Sequence, residues 1–447
     1  MMIRVTRSLV TQHSLRIQDP VMHLSEPYSY FGLAVSLLLV PLFALGQLLF
    51  HDGVVLLSIY EPLVAALTVV ALLRLLVELG LSWRKSLSMA LLYGFGSVAW
   101  YYSGVLYSDQ LVGLMLTVGV LGALRYDTTQ QRRWALATGA ALGLAVLARW
   151  DAALLVALPI GGFLVARALP QLRNRVGARE VVDALAFAAP LFIVVAINLA
   201  YDVLRYGRPL GYGAVGGFST PLLTGLYGLL FSPGVGLIVY VPLVILAPFG
   251  VRALYRHRPS VAMLLSSLIL IRLLFYALWN GWDGGSTWGP RFLVPVLPLL
   301  FVLIAFVPAR RWLPAIVIPL AALSIAVEVV GQLVPYGMYF GRVANQLSQS
   351  PAVVQACGSC TLHRRMEIVN QSIDFDPRYA PLVGQIDMLR RGMIDPLWAH
   401  LLPVVPVMLL VLAVVYVRLR RQAALVDGAS VPSSVDRRTP PARAATG

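Results

Sequence analysis

Charge is scarce in this chain of 447 residues: Asp, Glu, Lys and Arg make up 12% of it, against roughly a quarter in a soluble domain. With 59% hydrophobic residues and a mean hydropathy of +0.78, that scarcity excludes a soluble globular protein and marks an integral membrane protein. Lysine is almost absent. Lys85 is the only one in a chain rich in Arg, Ala, Leu and Val, a compositional bias to which no function attaches. Cysteine is confined to CGSC, Cys357 to Cys360, which suits a small local disulfide in an oxidising compartment. Only His363 lies near it, too few ligands for zinc, and the strand–helix context of a redox motif is missing. No phosphate loop, dinucleotide fingerprint or paired His-Glu-His helix motif is present, and no carboxylate cluster suggests a metal. The net charge of +15 does not indicate nucleic acid, because the arginines sit in short connections between apolar runs and form no continuous basic face.

Long apolar runs are what the chain has in abundance. Stretches able to span a membrane lie at approximately 54–79, 85–104, 110–125, 133–148, 152–168, 181–201, 234–254, 260–279, 292–308, 312–334 and 398–418. A further run near 30–50 contains Pro41. The short connections set the orientation. Arg84 with Lys85, Arg132 with Arg133, the group Arg167, Arg173, Arg175 and Arg179, then Arg252, Arg256 and Arg258, then Arg310 with Arg311, and finally Arg418, Arg420 and Arg421 mark every second connection as cytoplasmic. The alternate connections share the outer face: 51–53, YSDQ at 107–110, RWD at 149–151, a Gly-rich loop at 202–233, a Trp-rich turn and a long loop at 335–397. If the 30–50 run spans, the first 28 residues are cytoplasmic; if it is a re-entrant or interfacial helix, they are outside. The predicted organisation is therefore residues 1–53 as an outer-face segment with a juxtamembrane helix, 54–334 as a transmembrane core, 335–397 as an extracytoplasmic loop, 398–421 as the last span, and 422–447 as a disordered cytoplasmic tail.

The outer connections hold most of the chemistry. WNGWDGGSTWGPR, Trp279 to Arg291, places three tryptophans, four glycines, an aspartate and an arginine in one polar turn. Gly281, Gly284, Gly285 and Gly289 permit backbone angles that other residues resist. Trp279, Trp282 and Trp288 offer amphipathic faces that suit a membrane interface or a sugar ring. Asp283 adds a carboxylate, and Arg291 a guanidinium fork that fits phosphate oxygens. The plainer reading is a tight turn with an aromatic belt; the whole cluster reads better as a binding site. Asp109 is placed to act as general base or to orient an acceptor hydroxyl, or else is a solvated loop carboxylate. Arg149, Trp150 and Asp151 are held near the membrane surface by the shortness of their connection, where Arg149 can simply pair with Asp151. Arg272 lies about 10 Å below the outer surface at helical rise and needs a partner or a polar cavity; Glu61 and Glu328 are the two candidates. The segment from Tyr206 to Pro233, with Ser219, Thr220 and Ser232, suits the lining of a groove for a lipid chain.

The order of segments resembles the GT-C type glycosyltransferases, in particular bacterial relatives of the dolichyl-phosphate-mannose protein mannosyltransferases and the aminoarabinose transferases. The matching blocks are YFGLAVSLLLVPLFALG at 30–46, AWYYSGVLYSDQL at 99–111, GLAVLARWDAALLVALP at 143–159, GLYGLLFSPGVGLIVYVP at 225–242 and GWDGGSTWGPRFLVPVLP at 281–298. The resemblance implies an all-α polytopic enzyme of about 11 transmembrane helices plus one juxtamembrane helix at 30–50, lacking the family's first transmembrane helix. Its implied activity is transfer of a monosaccharide from a polyprenyl-phosphate carrier, with no cofactor, to a glycan, lipid or protein acceptor outside a bacterial plasma membrane. Arg291 and Arg149 would hold the phosphate, Asp109 and Asp283 would be catalytic, and Trp282, Trp288, Asp151 and Tyr107 would bind substrate; no metal and no nucleic acid are implied. The family's principal acid would lie upstream of Met1, since TRSLVTQHSLRI at 6–17 resembles the stretch that follows it; Asp19 and Glu26 do not match its position. Two other classes fit the composition. A transporter or lipid flippase would place its site near the midplane, where Arg272, Glu61 and Glu328 lie, and a relative without activity would serve as an assembly partner.

Overall fold

The structure, a computed structural model, describes residues 1–17, 27–172, 177–209, 217–311, 313–357 and 362–393. The expected last span at 398–421, the tail at 422–447, and Asp19 and Glu26 lie outside the described residues. Within them the chain is helical and contains no strand. It opens with α1 (Met2–Gln12), α2 (Leu33–Phe50), α3 (Tyr60–Glu78), α4 (Trp83–Phe95) and a single turn, α5 (Ala99–Tyr102). Next come α6 (Ser108–Thr129), α7 (Arg132–Ala148), α8 (Leu158–Leu172) and α9 (Ala178–Tyr206). The second half holds α10 (Leu222–Phe231), α11 (Leu237–Tyr240), α12 (Ala247–His257), α13 (Pro259–Leu278), α14 (Leu297–Ala305) and α15 (Leu313–Leu333). The long connection is itself folded into α16 (Tyr336–Ser348), α17 (Pro351–Cys357), α18 (Leu362–Phe375) and α19 (Pro381–Arg390).

Six segments among the described residues are long and apolar enough to cross a membrane: α2, Val55–Glu78, α6, α9, α13 and α15. This is a multi-pass membrane protein. Their outward faces carry bare apolar side chains, such as Leu48 at 74% exposure, Phe192 at 69% and Ile318 at 66%, a burden that only a hydrocarbon solvent tolerates. The other expected runs among the described residues are helical but shorter or broken. Pro242 and Pro248 divide the 234–254 run into a 3₁₀ segment and α12, and Pro295 and Pro298 do the same after Arg291, because proline cannot donate to the preceding turn. The 30–50 run is one continuous helix through Pro41, and its length and composition are those of a crossing helix.

Glycines set how closely the helices approach. A Cβ on Gly139 of α7 would stand 2.0 Å from the Phe187 carbonyl oxygen of α9, and one on Gly143 would stand 3.1 Å from that of Pro190. This is the small-xxx-small packing of membrane helices, in which backbones touch because no side chain intervenes. On the neighbouring helix, Gly122 of α6 receives the Thr138 hydroxyl of α7. Three helices are thus fixed against one another, and Arg149 follows directly on the C-terminal end of α7. Gly139→Val should lower stability by about 1–3 kcal/mol through overpacking, seen as a lower melting temperature in detergent. Ala140→Val on the exposed face should leave it unchanged; equal melting of the two variants would refute the close-packing argument.

Candidate active site

Asp109 sits in the first turn of α6, where the helix dipole favours a carboxylate. The start of that helix is pinned by Glu61 of α3, whose Oε1 accepts the Tyr107 N–H at 3.1 Å. One turn further on, a Cβ on Gly113 would stand 3.3 Å from Pro295 Cα, so α6 lies almost backbone to backbone against the 3₁₀ segment that begins with Arg291. That approach brings Asp109 to Arg291. Arg291 Nε donates to Asp109 Oδ2 at 3.0 Å, Arg149 Nη1 donates to Oδ1 at 3.1 Å, and Arg272 Nη2 stands 3.8 Å from the same oxygen. Asp109 itself is fully buried.

A second carboxylate completes the cluster. Asp151 Oδ1 accepts Arg149 Nε at 2.8 Å, and its Oδ2 accepts the Tyr276 hydroxyl at 2.6 Å. Arg149 Nη2 donates to that same Tyr276 oxygen at 2.7 Å, and Arg272 Nη1 lies 3.6 Å from Asp151 Oδ2. Arg272 and Tyr276 are four apart on α13 and share a face, which aims both at the two aspartates. Arg272 Nε also donates to the Phe292 carbonyl. The candidates Glu61 and Glu328 are therefore not the partners of Arg272; Asp109 and Asp151 are. Glu328, fully buried on α15, lies against the Trp288 indole instead.

The Trp-rich turn holds the third arginine in place. Gly284, Gly285 and Gly289 have φ of 79°, 77° and 62°, the left-handed region where glycine is at home. The turn points the Gly284 carbonyl at Arg291 Nη1, 3.2 Å away, and the guanidinium lies over the Tyr107 ring with its carbon 3.8 Å from the centroid. Arg291 Nη2 has no hydrogen-bond partner among the described residues, and the side chain keeps 12% exposure. In Arg149, by contrast, each nitrogen is engaged. Three guanidiniums against two carboxylates leave this cluster one positive charge, and Arg291 presents the open donors.

The structure brings Asp109, Arg149, Asp151, Tyr107 and Arg291 together, and it adds Arg272 and Tyr276. It encloses two of the expected sugar-stacking rings. Trp288 is fully buried, edge-on to Tyr240 at 4.7 Å, with Gly331 against its other side and its carbonyl held by the Tyr102 hydroxyl at 2.9 Å. Trp282 is 8% exposed, wedged between Gly228 and Phe375. Both rings pack the turn, and neither has a free face for a sugar. Asp109 likewise has no oxygen free for a proton, since arginines occupy both. Of the Gly-rich loop, residues 202–206 end α9, residues 210–216 lie outside the described residues, Phe218 packs on Phe275 and Trp279, and residues 222–231 form α10.

Sequence reasoning missed two further residues. Tyr276 is hidden inside an apolar run, where only its spacing from Arg272 marks it. Asp374, in the last turn of α18, had no signal in the sequence. The long connection folds back over the Trp-rich turn: Gly234 N donates to the Asp374 carbonyl at 3.1 Å, and Phe375 packs on Trp282 with centroids 5.4 Å apart. Burial and the nearby Asp283 carboxylate push the Asp374 carboxyl well above its usual range. Burial also raises Asp283, against the opposing pull of the Gly285, Asp283 and Gly284 amides and of Arg291. In the same connection, Cys357 is disulfide-bonded; Cys360 lies outside the described residues.

No family model matches this chain, and no curated protein matches it in sequence. Solved structures similar to it include the following three. ArnT from Cupriavidus metallidurans bound to undecaprenyl phosphate has a TM-score of 0.46 at 15% identity, over 92% of this chain and 70% of that one. The apo state of the same protein gives 0.45 at 16% over the same shares. The Archaeoglobus fulgidus oligosaccharyltransferase in its apo form gives 0.40 at 13%, over 86% of this chain and 51% of that one.

An apolar groove runs along α13 and the segment that follows Arg291. It encloses ≈ 650 Å³ between α10, α12, α13 and α14. Leu273 and Leu293, the chain neighbours of Arg272 and Phe292, form part of its wall, and Ile245 and Leu270 on its rim are exposed.

Proposed function

We propose that this protein transfers a monosaccharide from a polyprenyl-phosphate carrier to an acceptor hydroxyl on the extracytoplasmic face of a bacterial plasma membrane. The observation that carries the reading is a pair of surfaces: an arginine with open donors, in a cluster of net positive charge, and a groove lined by apolar side chains whose wall includes Leu293, two residues along the chain from Arg291. A polyprenyl phosphate has that division, an anionic head on a hydrocarbon tail. The sequence blocks that resemble the GT-C transferases at 99–111, 143–159 and 281–298 are also the ones that supply Tyr107, Asp109, Arg149, Asp151 and Arg291 to the site. The site lies at the N-terminal end of α6 and the C-terminal ends of α7 and α13, and the basic connections marked by Arg132 and Arg258 lie at the opposite ends of those helices; by the charge rule the site faces outward.

In this reading Arg291 holds the lipid phosphate through Nη2, with Arg149 behind it. The acceptor oxygen bonds to the anomeric carbon, the bond from that carbon to the phosphate oxygen breaks with its electron pair remaining on the lipid phosphate, and the hydroxyl proton passes to a carboxylate. The fixed guanidiniums favour the charge that develops on the leaving phosphate, in surroundings where burial strengthens each contact. Asp109 and Asp151 hold the arginines in place, and Tyr107 supports Arg291 from beneath. The acceptor is a glycan, a lipid or a protein.

The test is transfer of labelled sugar from a panel of polyprenyl-phosphate sugars by the purified protein in proteoliposomes. Label should leave at least one donor and appear on an acceptor; a protein that neither binds polyprenyl phosphate nor consumes any donor rules the reading out. The groove gives a separate prediction. Ile269→Trp should fill it and raise KM for a long-chain donor by about tenfold, near 1.4 kcal/mol, while a donor with a single isoprene unit is used as before. Equal effects on both donors would mean that the groove is not the tail site.

A further inference from the structure

The transfer proposed above needs a proton acceptor, and the cluster that holds the phosphate does not offer a free one. Asp109 is fully buried with an arginine on each oxygen, and Asp151 accepts from Arg149 and Tyr276. Among the described residues, the carboxylates left near the Trp-rich turn are Asp283, Asp374 and Glu328, and Glu328 is fully buried against the Trp288 indole. Asp374 is 6% exposed and makes no side-chain hydrogen bond among the described residues. Its position is built. Gly234 leaves room for it, since a Cβ there would stand 2.5 Å from the Asp374 Cα; the Gly234 amide holds its carbonyl; and Phe375 is clamped between Trp282 and Tyr227, whose centroids are 5.4 and 6.1 Å away. Asp283, adjacent to Trp282 in the chain, lies within electrostatic reach of both Asp374 and Arg291.

Resting on that reading of the site, we propose that Asp374, carried in by the long outer connection and paired with Asp283, is the base that accepts the hydroxyl proton of the acceptor. The acceptor would enter from the side of the folded connection, across the turn from the lipid phosphate on Arg291. The other ionisable groups facing Asp374 are Tyr240 of α11 and Tyr336 and Tyr339 of α16. Each is a neutral phenol at working pH, so burial first and the Asp283 charge second raise the Asp374 carboxyl. Because the Asp283 charge acts on Asp374, the two carboxyls titrate as a coupled pair. Because both are raised, transfer is complete above the pair's upper titration and is lost as pH falls through it, a limb displaced above the ordinary carboxylate range.

The experiment is steady-state transfer against pH, with polyprenyl-phosphate binding and thermal melting measured on the same preparations. Asp374→Asn should lower kcat by about 10²–10⁴, the span of general base catalysis, with polyprenyl-phosphate binding and melting unchanged. Asp283→Asn removes the neighbouring charge that raises Asp374, so the acid limb should move to lower pH. Asp376→Asn, a half-buried residue paired with the exposed Arg378, should alter neither. An Asp374→Asn variant with the parent kcat and profile overturns the assignment while leaving the transferase reading in place. Loss of lipid binding or of melting temperature along with transfer makes Asp374 structural and also overturns it. Failure of the unaltered protein to transfer from any donor overturns the reading and the role of Asp374 together.

Discussion

Arg291→Ala lowers kcat/KM for transfer by about 10³-fold, a loss of near 4 kcal/mol, the upper part of the range for removing one donor to a developing oxyanion. The size of the effect follows from what Arg291 touches. Its Nε is spent on Asp109 and its Nη1 on the Gly284 carbonyl, and its face lies on Tyr107. These three contacts fix the fork so that the remaining donors point out of the cluster without reorganisation at the moment of reaction. The fold should survive the change, because Asp109 keeps Arg149 at 3.1 Å and Arg272 at 3.8 Å. Melting temperature should therefore fall by little while binding of polyprenyl phosphate collapses. Arg291→Lys keeps the charge but loses the fork and the flat face that lies on Tyr107, and should recover only part of the loss. An Arg291→Ala protein that binds polyprenyl phosphate and turns over like the parent would remove the phosphate from this site altogether.

The helical membrane architecture was readable because its signal is one-dimensional. Apolar runs and arginine-marked connections place the helices before any contact is known, and each run before residue 334 becomes helix where it was expected. The residues of the site were readable for a related reason: Asp109, Arg149, Asp151 and Arg291 are polar groups in short connections, with little else around them to explain. Pairing was not readable. Hydropathy put Arg272 inside the membrane with two glutamates as equal partners, and only the packing of α6, α7 and α13 shows that it reaches Asp109 and Asp151 while Glu61 caps the start of α6. Nor does composition distinguish a tryptophan that offers a face from one that fills a turn. Trp288 and Trp282 are enclosed because Gly331 and Gly228 admit them, a relation between positions far apart in sequence. Asp374 was hidden most completely, since a polar residue in a long polar connection looks solvated until the connection folds back.

Asp109→Asn should be the most destabilising single change in the site. Three guanidiniums would then share one carboxylate, Asp151, at a depth where Asp109 and Arg272 are almost wholly buried. Removing one partner from such a set typically costs about 3–5 kcal/mol, because the charges left behind are neither solvated nor paired. The asparagine oxygen can accept from one arginine and its amide group donates, so it also sets an N–H against a guanidinium. Melting temperature should fall markedly, and transfer should be lost because Arg291 and Arg149 no longer share an anchor. The same argument makes a second, opposite expectation: an anionic ligand supplies the missing charge, so inorganic phosphate or polyprenyl phosphate should raise the melting temperature of Asp109→Asn more than that of the parent, through preferential binding to the folded state. A variant that melts like the parent but loses transfer with an altered pH profile would instead make Asp109 the proton acceptor, and the carboxylate that its two arginines hold would have to be released during the reaction.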